Sequence, residues 1–116
     1  MTKRDIVVLK KIISETEMLS RMLAGVNEHD FLLNEEKMRS TCMTLINIGE
    51  LVKNFSEDFR LSNNHLPWKD IAGLRDVAAH GYFTLKMEDI WIYASTELPG
   101  YLDQFNAILE ENGCEE

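Results

Sequence analysis

Ahead of Pro67, apolar residues recur along this chain at steps of three and four, the spacing of one face of an α-helix. In the first stretch Ile6, Leu9, Ile12, Ile13, Leu19 and Leu23 mark that face, while Lys10, Glu15, Glu17 and Arg21 fall largely outside it. Gly25 stands where a helix would stop, so the pattern predicts a first helix over about residues 3–24. After a polar turn containing Asn27 and Asp30, a second stripe of Met38, Leu45, Ile48, Leu51, Val52 and Phe55 predicts a helix over about residues 30–54. Ser56 followed by Glu57 and Asp58 has the form of an N-cap with acids in the first turn. It predicts a short helix before the polar stretch Ser62-Asn63-Asn64-His65.

Pro67 then stands in the first turn of a third long helix, where its missing N–H removes no helical hydrogen bond. Trp68, Ile71, Leu74, Val77 and Ala78 continue on one face, and Gly81 is expected to end the element. A last helical stretch runs from Ile90 through Ala94, Leu98 and Phe105 to Ile108, interrupted at Pro99-Gly100 by a kink or a short break. Four long helices with short connections predict an all-α fold, an up-and-down bundle of four to five helices. The whole chain, 1–116, reads as one domain with an acidic tail at about 110–116.

Composition and charge narrow the partners. With 116 residues, 45% of them apolar and 28% charged, the chain can bury about two thirds of its unfolded surface without a disulfide or a metal. A net charge of -8 excludes a broad basic footprint of the kind that binds nucleic acid non-specifically. The excess is uneven, however. Residues 97–116 carry six acids and no base, whereas residues 61–96 carry four acids against three bases. The third helix is therefore nearly neutral, and Arg75, His65 and His80 lie at or near it.

Cys42 and Cys114 form neither a disulfide framework nor a metal knuckle by number or spacing, which suggests a reducing, cytoplasmic setting with Cys42 packed. Lys10 and Lys11 cut the apolar run Ile6–Leu9 far short of a signal-peptide core, and no stretch approaches the roughly 18 apolar residues of a membrane span. His29 and His65 lack metal-ligand partners at useful spacing, so neither a metal nor a cofactor is expected.

The densest cluster of reactive side chains is Leu74-Arg75-Asp76-Val77-Ala78-Ala79-His80-Gly81-Tyr82. On an ideal helix Arg75 and His80, five residues apart, are separated by about 500°, or about 140° around the axis, and do not share a face. Asp76 and His80, four apart, do share one. That pair is either a carboxylate orienting an imidazole or a plain surface ion pair. Arg75 and Tyr82 would share a face if the helix persisted past Gly81.

The order Arg75-x4-His80-x-Tyr82, preceded by Ile48-Gly49-Glu50 and Pro67-Trp68-Ile71-Gly73 and followed by Ile90-Trp91 and Leu98-Pro99, resembles the HEPN superfamily in its HepT-like ribonuclease-toxin branch. The resemblance implies a helical bundle that dimerises, bringing two Arg-x4-His motifs into one cleft. It further implies metal-independent cleavage of RNA within a type VII-like toxin-antitoxin pair. The partner would be a cognate minimal nucleotidyltransferase antitoxin that neutralises the toxin, in some pairs by adding AMP to the motif tyrosine, here Tyr82. Where the branch often has Asn after the motif arginine, this chain has Asp76.

The chemistry of the residues agrees with such a role. RNA cleavage without a metal requires a base for the 2′-hydroxyl, an acid for the leaving 5′-oxygen and a cation for the phosphorane. His80 can serve either proton role near neutral pH, and Arg75 presents a fork suited to phosphate. Glu50 either anchors Arg75 or faces solvent. Tyr82 either packs its ring or opens its hydroxyl to the cleft. Trp68, Trp91, Tyr93, Tyr101 and Phe105 read as core or dimer interface rather than base-stacking platforms. The competing reading is a non-catalytic HEPN module that binds a nucleotide or a nucleotidyltransferase partner, which Asp76 and the charge of -8 favour.

Overall fold

In the computed structural model, residues 1–84 and 86–112 are described. Helix α1 spans Lys3–Leu23, and its start is set by a capping box: Thr2 Oγ1 accepts from the Asp5 N–H at 3.0 Å, while the Asp5 carboxylate accepts from the Thr2 N–H at 3.1 Å. It ends just before Gly25, which lies at φ 77°, in the left-handed region that only glycine enters freely. Both limits agree with the sequence pattern.

The second predicted helix is instead two elements. Helix α2 covers Glu28–Leu32 and α3 covers Glu35–Val52, each capped by an asparagine: Asn27 Oδ1 accepts from the Asp30 N–H, and Asn34 Oδ1 from the Lys37 N–H. The break turns Phe31 into the core, where its ring meets Trp91 with centroids 5.1 Å apart. Ser56 caps the short α4, Glu57–Ser62, as expected. Pro67 directly precedes α5, Trp68–Ala72, and Gly73 joins it to α6, Leu74–Thr84.

Gly81 does not end that helix. It is buried inside α6, and a Cβ there would stand 3.3 Å from Ile90 Cδ1, so its small size serves the contact with α7, Met87–Ile92. The predicted interruption near Pro99 consists of a π-helical turn, Tyr93–Glu97, and a 3₁₀ turn, Pro99–Tyr101, followed by α8, Leu102–Asn112. Residues 110–112 of the expected acidic tail continue α8, and residues 113–116 lie outside the described residues.

The assembly is an all-α bundle with α3 at its centre, packed between α1 and the α5–α6 unit. Leu9, Ile12, Leu45, Ile48, Ala78, Ile90 and Phe105 are fully buried between these helices. Phe55, Phe59, Trp68 and Phe105 form a contiguous aromatic group with successive centroids 4.0, 5.5 and 6.0 Å apart, and Trp68 Nε1 donates to the Asn63 carbonyl. Trp68 and Phe105 are thus core, and Trp91 and Tyr101 pack partly buried against it. Burial pushes the Cys42 thiol pKa up, which keeps it protonated and poorly nucleophilic. Among the described residues no helix is long and apolar enough to cross a membrane.

Asp5 ties the ends of two elements together. Besides closing the α1 cap, its carboxylate accepts from the Ser56 N–H at 2.8 Å and from the Ser56 hydroxyl at 2.7 Å, fixing the start of α4 on the start of α1. Burial alone would raise the carboxyl pKa, but the hydrogen bonds from Ser56 and Thr2 together outweigh it and hold it below its ordinary value. A group depressed in the folded state contributes its full stability above its unfolded pKa of about 3.9, and loses it as pH falls through the lower folded value. Asp5→Ala should therefore lower stability by about 2–3 kcal/mol at pH 7, and urea melts should show the gap from wild type narrowing below about pH 4.

Candidate functional site: the α3–α6 seam

Helices α3 and α6 run side by side because one position on α3 has no side chain. A Cβ on Gly49 would stand 2.7 Å from the Arg75 backbone nitrogen and 2.8 Å from the Ala72 carbonyl oxygen, distances real Cβ atoms do not reach. The glycine therefore lets the first turn of α6 rest on the α3 backbone. It also brings Glu50, the next residue of α3, to the guanidinium of Arg75.

Glu50 Oε2 accepts from Arg75 Nε in a short ion pair, and Lys53 Nζ lies 3.4 Å from the same oxygen. Arg75 Nη1 donates to Asp76 Oδ1 at 3.0 Å. Glu50 thus anchors Arg75 rather than facing solvent alone. Arg75 and Glu50 remain close to half exposed, at 47% and 48%, a setting in which an ion pair adds little stability and acts mainly to orient the side chain. Carboxylates therefore meet the guanidinium at two of its nitrogens, Glu50 at Nε and Asp76 at Nη1.

His80 is exposed on α6, and Asp76 does not orient it in this structure: that carboxylate is turned to Arg75, and no His80–carboxylate pair occurs among the described residues. The helix carries on through Thr84, whose hydroxyl donates to the His80 carbonyl at 3.0 Å, so Arg75 and Tyr82 do lie on one side of α6 and His80 about 140° away. Asp76, His80 and Phe83, spaced four and three apart, form an exposed row; Phe83 is 84% exposed.

Tyr82 is partly buried with its ring under the Arg39 guanidinium, 5.5 Å from Cζ to centroid, and edge-on to Phe83. Its hydroxyl makes no hydrogen bond among the described residues. The ring borders two hollows: one of about 540 Å³ beside Glu35, Met38 and Glu88, and one of about 250 Å³ beside Met43, Ile46 and Ala79. Arg39, Lys53 and the exposed Phe83 carry no sequence signal that sets them apart. Only the pairing of α3 with α6 reveals them. No group of three or more metal-ligating side chains occurs among the described residues.

The family model described as ribonuclease HepT-like matches residues 12–108, which includes Gly49, Glu50 and the whole Arg75–Tyr82 segment. The chain belongs to this HepT-like family. A relative from Caldanaerobacter subterraneus subsp. tengcongensis, named "Putative RNase TTE0752", is 35% identical over 89% of this chain and 92% of its own length. Another from Methanocaldococcus jannaschii, named "Putative RNase MJ0125", is 30% identical over 96% of this chain and 97% of its own. A third, from Thermococcus cleftensis, named "Probable ribonuclease HepT", is 25% identical over 86% of this chain and 91% of its own. No solved structure matches at comparable significance.

In this HepT-like protein the seam depends on Gly49. Gly49→Ala should cost about 1–3 kcal/mol, because the clash is with backbone that cannot swing aside. Gly73→Ala, whose Cβ would meet Asp70 O at 3.3 Å, should cost less, and chemical denaturation of the two variants checks the order.

Proposed function

We propose that the protein is a metal-independent endoribonuclease that cleaves RNA at a site built from two copies of Arg75 and His80, the toxin half of a type VII-like toxin-antitoxin pair. The observation that supports it most directly is the placing of Arg75: the residue is oriented by Glu50 yet stays about half exposed, on the helix that also exposes His80. In the reaction, one imidazole removes the 2′-hydroxyl proton and that oxygen attacks phosphorus. The P–O5′ bond breaks as an imidazolium protonates the leaving oxygen, leaving a 2′,3′-cyclic phosphate. Arg75 stabilises the charge that develops on the non-bridging oxygens.

One chain cannot supply this alone, since Arg75 and His80 diverge by about 140° on α6. A second copy resolves the geometry. The exposed Phe83 and Met43 flank the apolar hollow between α3 and α6, next to His80 in the helical row, and a homodimer formed there would cover them and bring the two α6 helices together. A cognate nucleotidyltransferase antitoxin would act at Tyr82, which lines both hollows and, as the motif tyrosine, is the AMPylation candidate.

A second reading, a non-catalytic module that binds a nucleotide or the nucleotidyltransferase, is favoured by one contact: Asp76 occupies Nη1 of the arginine that would meet phosphate. RNA cleavage decides between them. His80→Ala should lower the rate by about 10²-fold or more, Arg75→Ala comparably, and Asp76→Asn should raise it. Wild type that cuts no RNA while binding the nucleotidyltransferase selects the second reading. Phe83→Asp should shift the protein from dimer to monomer in light scattering and abolish cleavage at the same concentration.

A further inference from the structure

Beyond the seam, α1 and α3 enclose a polar cleft of about 430 Å³, lined by Lys11, Ser14 and Glu15 from α1 and by Asn47, Glu50, Leu51 and Asn54 from α3. Glu50 belongs to both places: its carboxylate holds Arg75 on one side and forms the cleft wall on the other. The cleft is therefore continuous with the proposed reacting centre.

The charges at and around it are nearer to balance than those of the molecule as a whole. Lys11 lines it with the carboxylates of Glu15 and Glu50, while Arg4, Lys53 and Arg75 contact the lining residues Asn54 and Glu50 from outside and Asp76 contacts Arg75, so four cations stand with three carboxylates in a chain of net charge -8. The carboxylates are already engaged. Glu50 accepts from Arg75 and is paired with Lys53, and Glu15 accepts from Asn47 Nδ2 at 3.3 Å. Asn54 Oδ1 accepts from Arg4 Nη2 at 2.6 Å and its Nδ2 donates to the Glu50 carbonyl, so Arg4 is tied to one of the lining residues. Lys11, seven residues beyond Arg4 and so on the same side of α1, has no carboxylate partner among the described residues. An unpaired ammonium beside hydroxyl and amide groups, with both lining carboxylates already engaged and an arginine next to Glu50, is chemistry that suits a phosphodiester backbone.

We propose that this α1–α3 cleft carries the RNA strand flanking the scissile phosphate, with Lys11 as a phosphate-binding residue and Glu50 as the hinge between strand path and reacting centre. The inference rests on the ribonuclease reading. It assigns substrate binding to a face outside the Arg-x4-His-x-Tyr motif, and it makes the contact independent of base identity, because lysine and backbone phosphate carry no sequence information.

The test uses the full-length His80→Ala protein, which leaves RNA intact, titrated with a fluorescent single-stranded RNA oligonucleotide over a range of salt concentrations. Lys11→Ala should weaken binding and reduce the slope of log affinity on log salt by about 0.7, the release expected for one phosphate contact on a single strand. Lys11→Glu should weaken it about tenfold or more at low salt, with the gap closing as salt rises. Glu15→Gln should tighten it. Arg21→Glu, about 15 Å further along α1, makes the same change in net charge and should have the smaller effect. In the cleaving protein, Lys11→Ala should raise KM and leave kcat in place. If Lys11→Glu weakens binding no more than Arg21→Glu while wild type still cuts RNA, the cleft assignment is overturned and the ribonuclease reading stands. If the wild-type chain neither binds nor cuts RNA, both fall together.

Discussion

The missing Cβ at Gly49 governs the arrangement of everything that looks chemical in this protein. At 2.7 Å from the Arg75 nitrogen, any side chain would force α6 off α3, and with it the guanidinium off Glu50. The ion pair itself does not hold the helices together, because both partners are about half in water, where such pairs contribute little. The order of causes therefore runs from backbone contact to charge placement. Packing by Ile48, Ala78 and Leu74 brings the helices together, the glycine sets how near they come, and the carboxylate then orients an arginine already delivered to it.

That order also bears on how an acidic protein could form the anion site proposed above. Around Arg75 the cations and carboxylates balance locally, and most of the excess of acids lies in residues 97–116. A phosphate approaching from solution meets a molecule that repels it at long range and a small region that does not. Recognition in such a field depends on short-range donors held in fixed positions, and Glu50 holds Arg75 and Asn54 holds Arg4 in that way.

How far the sequence could be read depended on whether one residue type can mean one thing. The end of α1 was legible because Gly25 carries a local signal that the structure uses locally, whereas the Thr2–Asp5 capping box that sets its start was not singled out. The Ser56 cap was legible for the same reason. Gly81 was misread, since a glycine that ends a helix and one that admits a neighbouring side chain look alike in a sequence, and only the contact with Ile90 separates them. The split between α2 and α3 was missed because Phe31 and Leu32 continue the apolar pattern up to Asn34, whose side chain caps a new helix. At the site, the family resemblance singled out Arg75, His80, Tyr82 and Glu50 without showing how they meet. The partner of Asp76 went the other way: i,i+4 spacing suggested His80, whereas the adjacent guanidinium took the carboxylate. A hydrogen bond between sequence neighbours leaves no periodic trace.

The two irregular turns near Pro99 act on the winding of the last helical stretch. In the π-helical turn Tyr93–Glu97 the Leu98 N–H reaches back five residues to the Tyr93 carbonyl, so the chain turns less per residue than an α-helix. In the 3₁₀ turn Pro99–Tyr101 it turns more. One lag and one advance fall on either side of Leu98 and largely offset each other. Ala94 and Leu98 before the proline and Phe105 and Ile108 after it consequently stay in phase and remain buried along one seam. The chain thus accommodates an imino acid that cannot donate a backbone hydrogen bond by redistributing twist, and the core is spared the rotation that a simple insertion would impose.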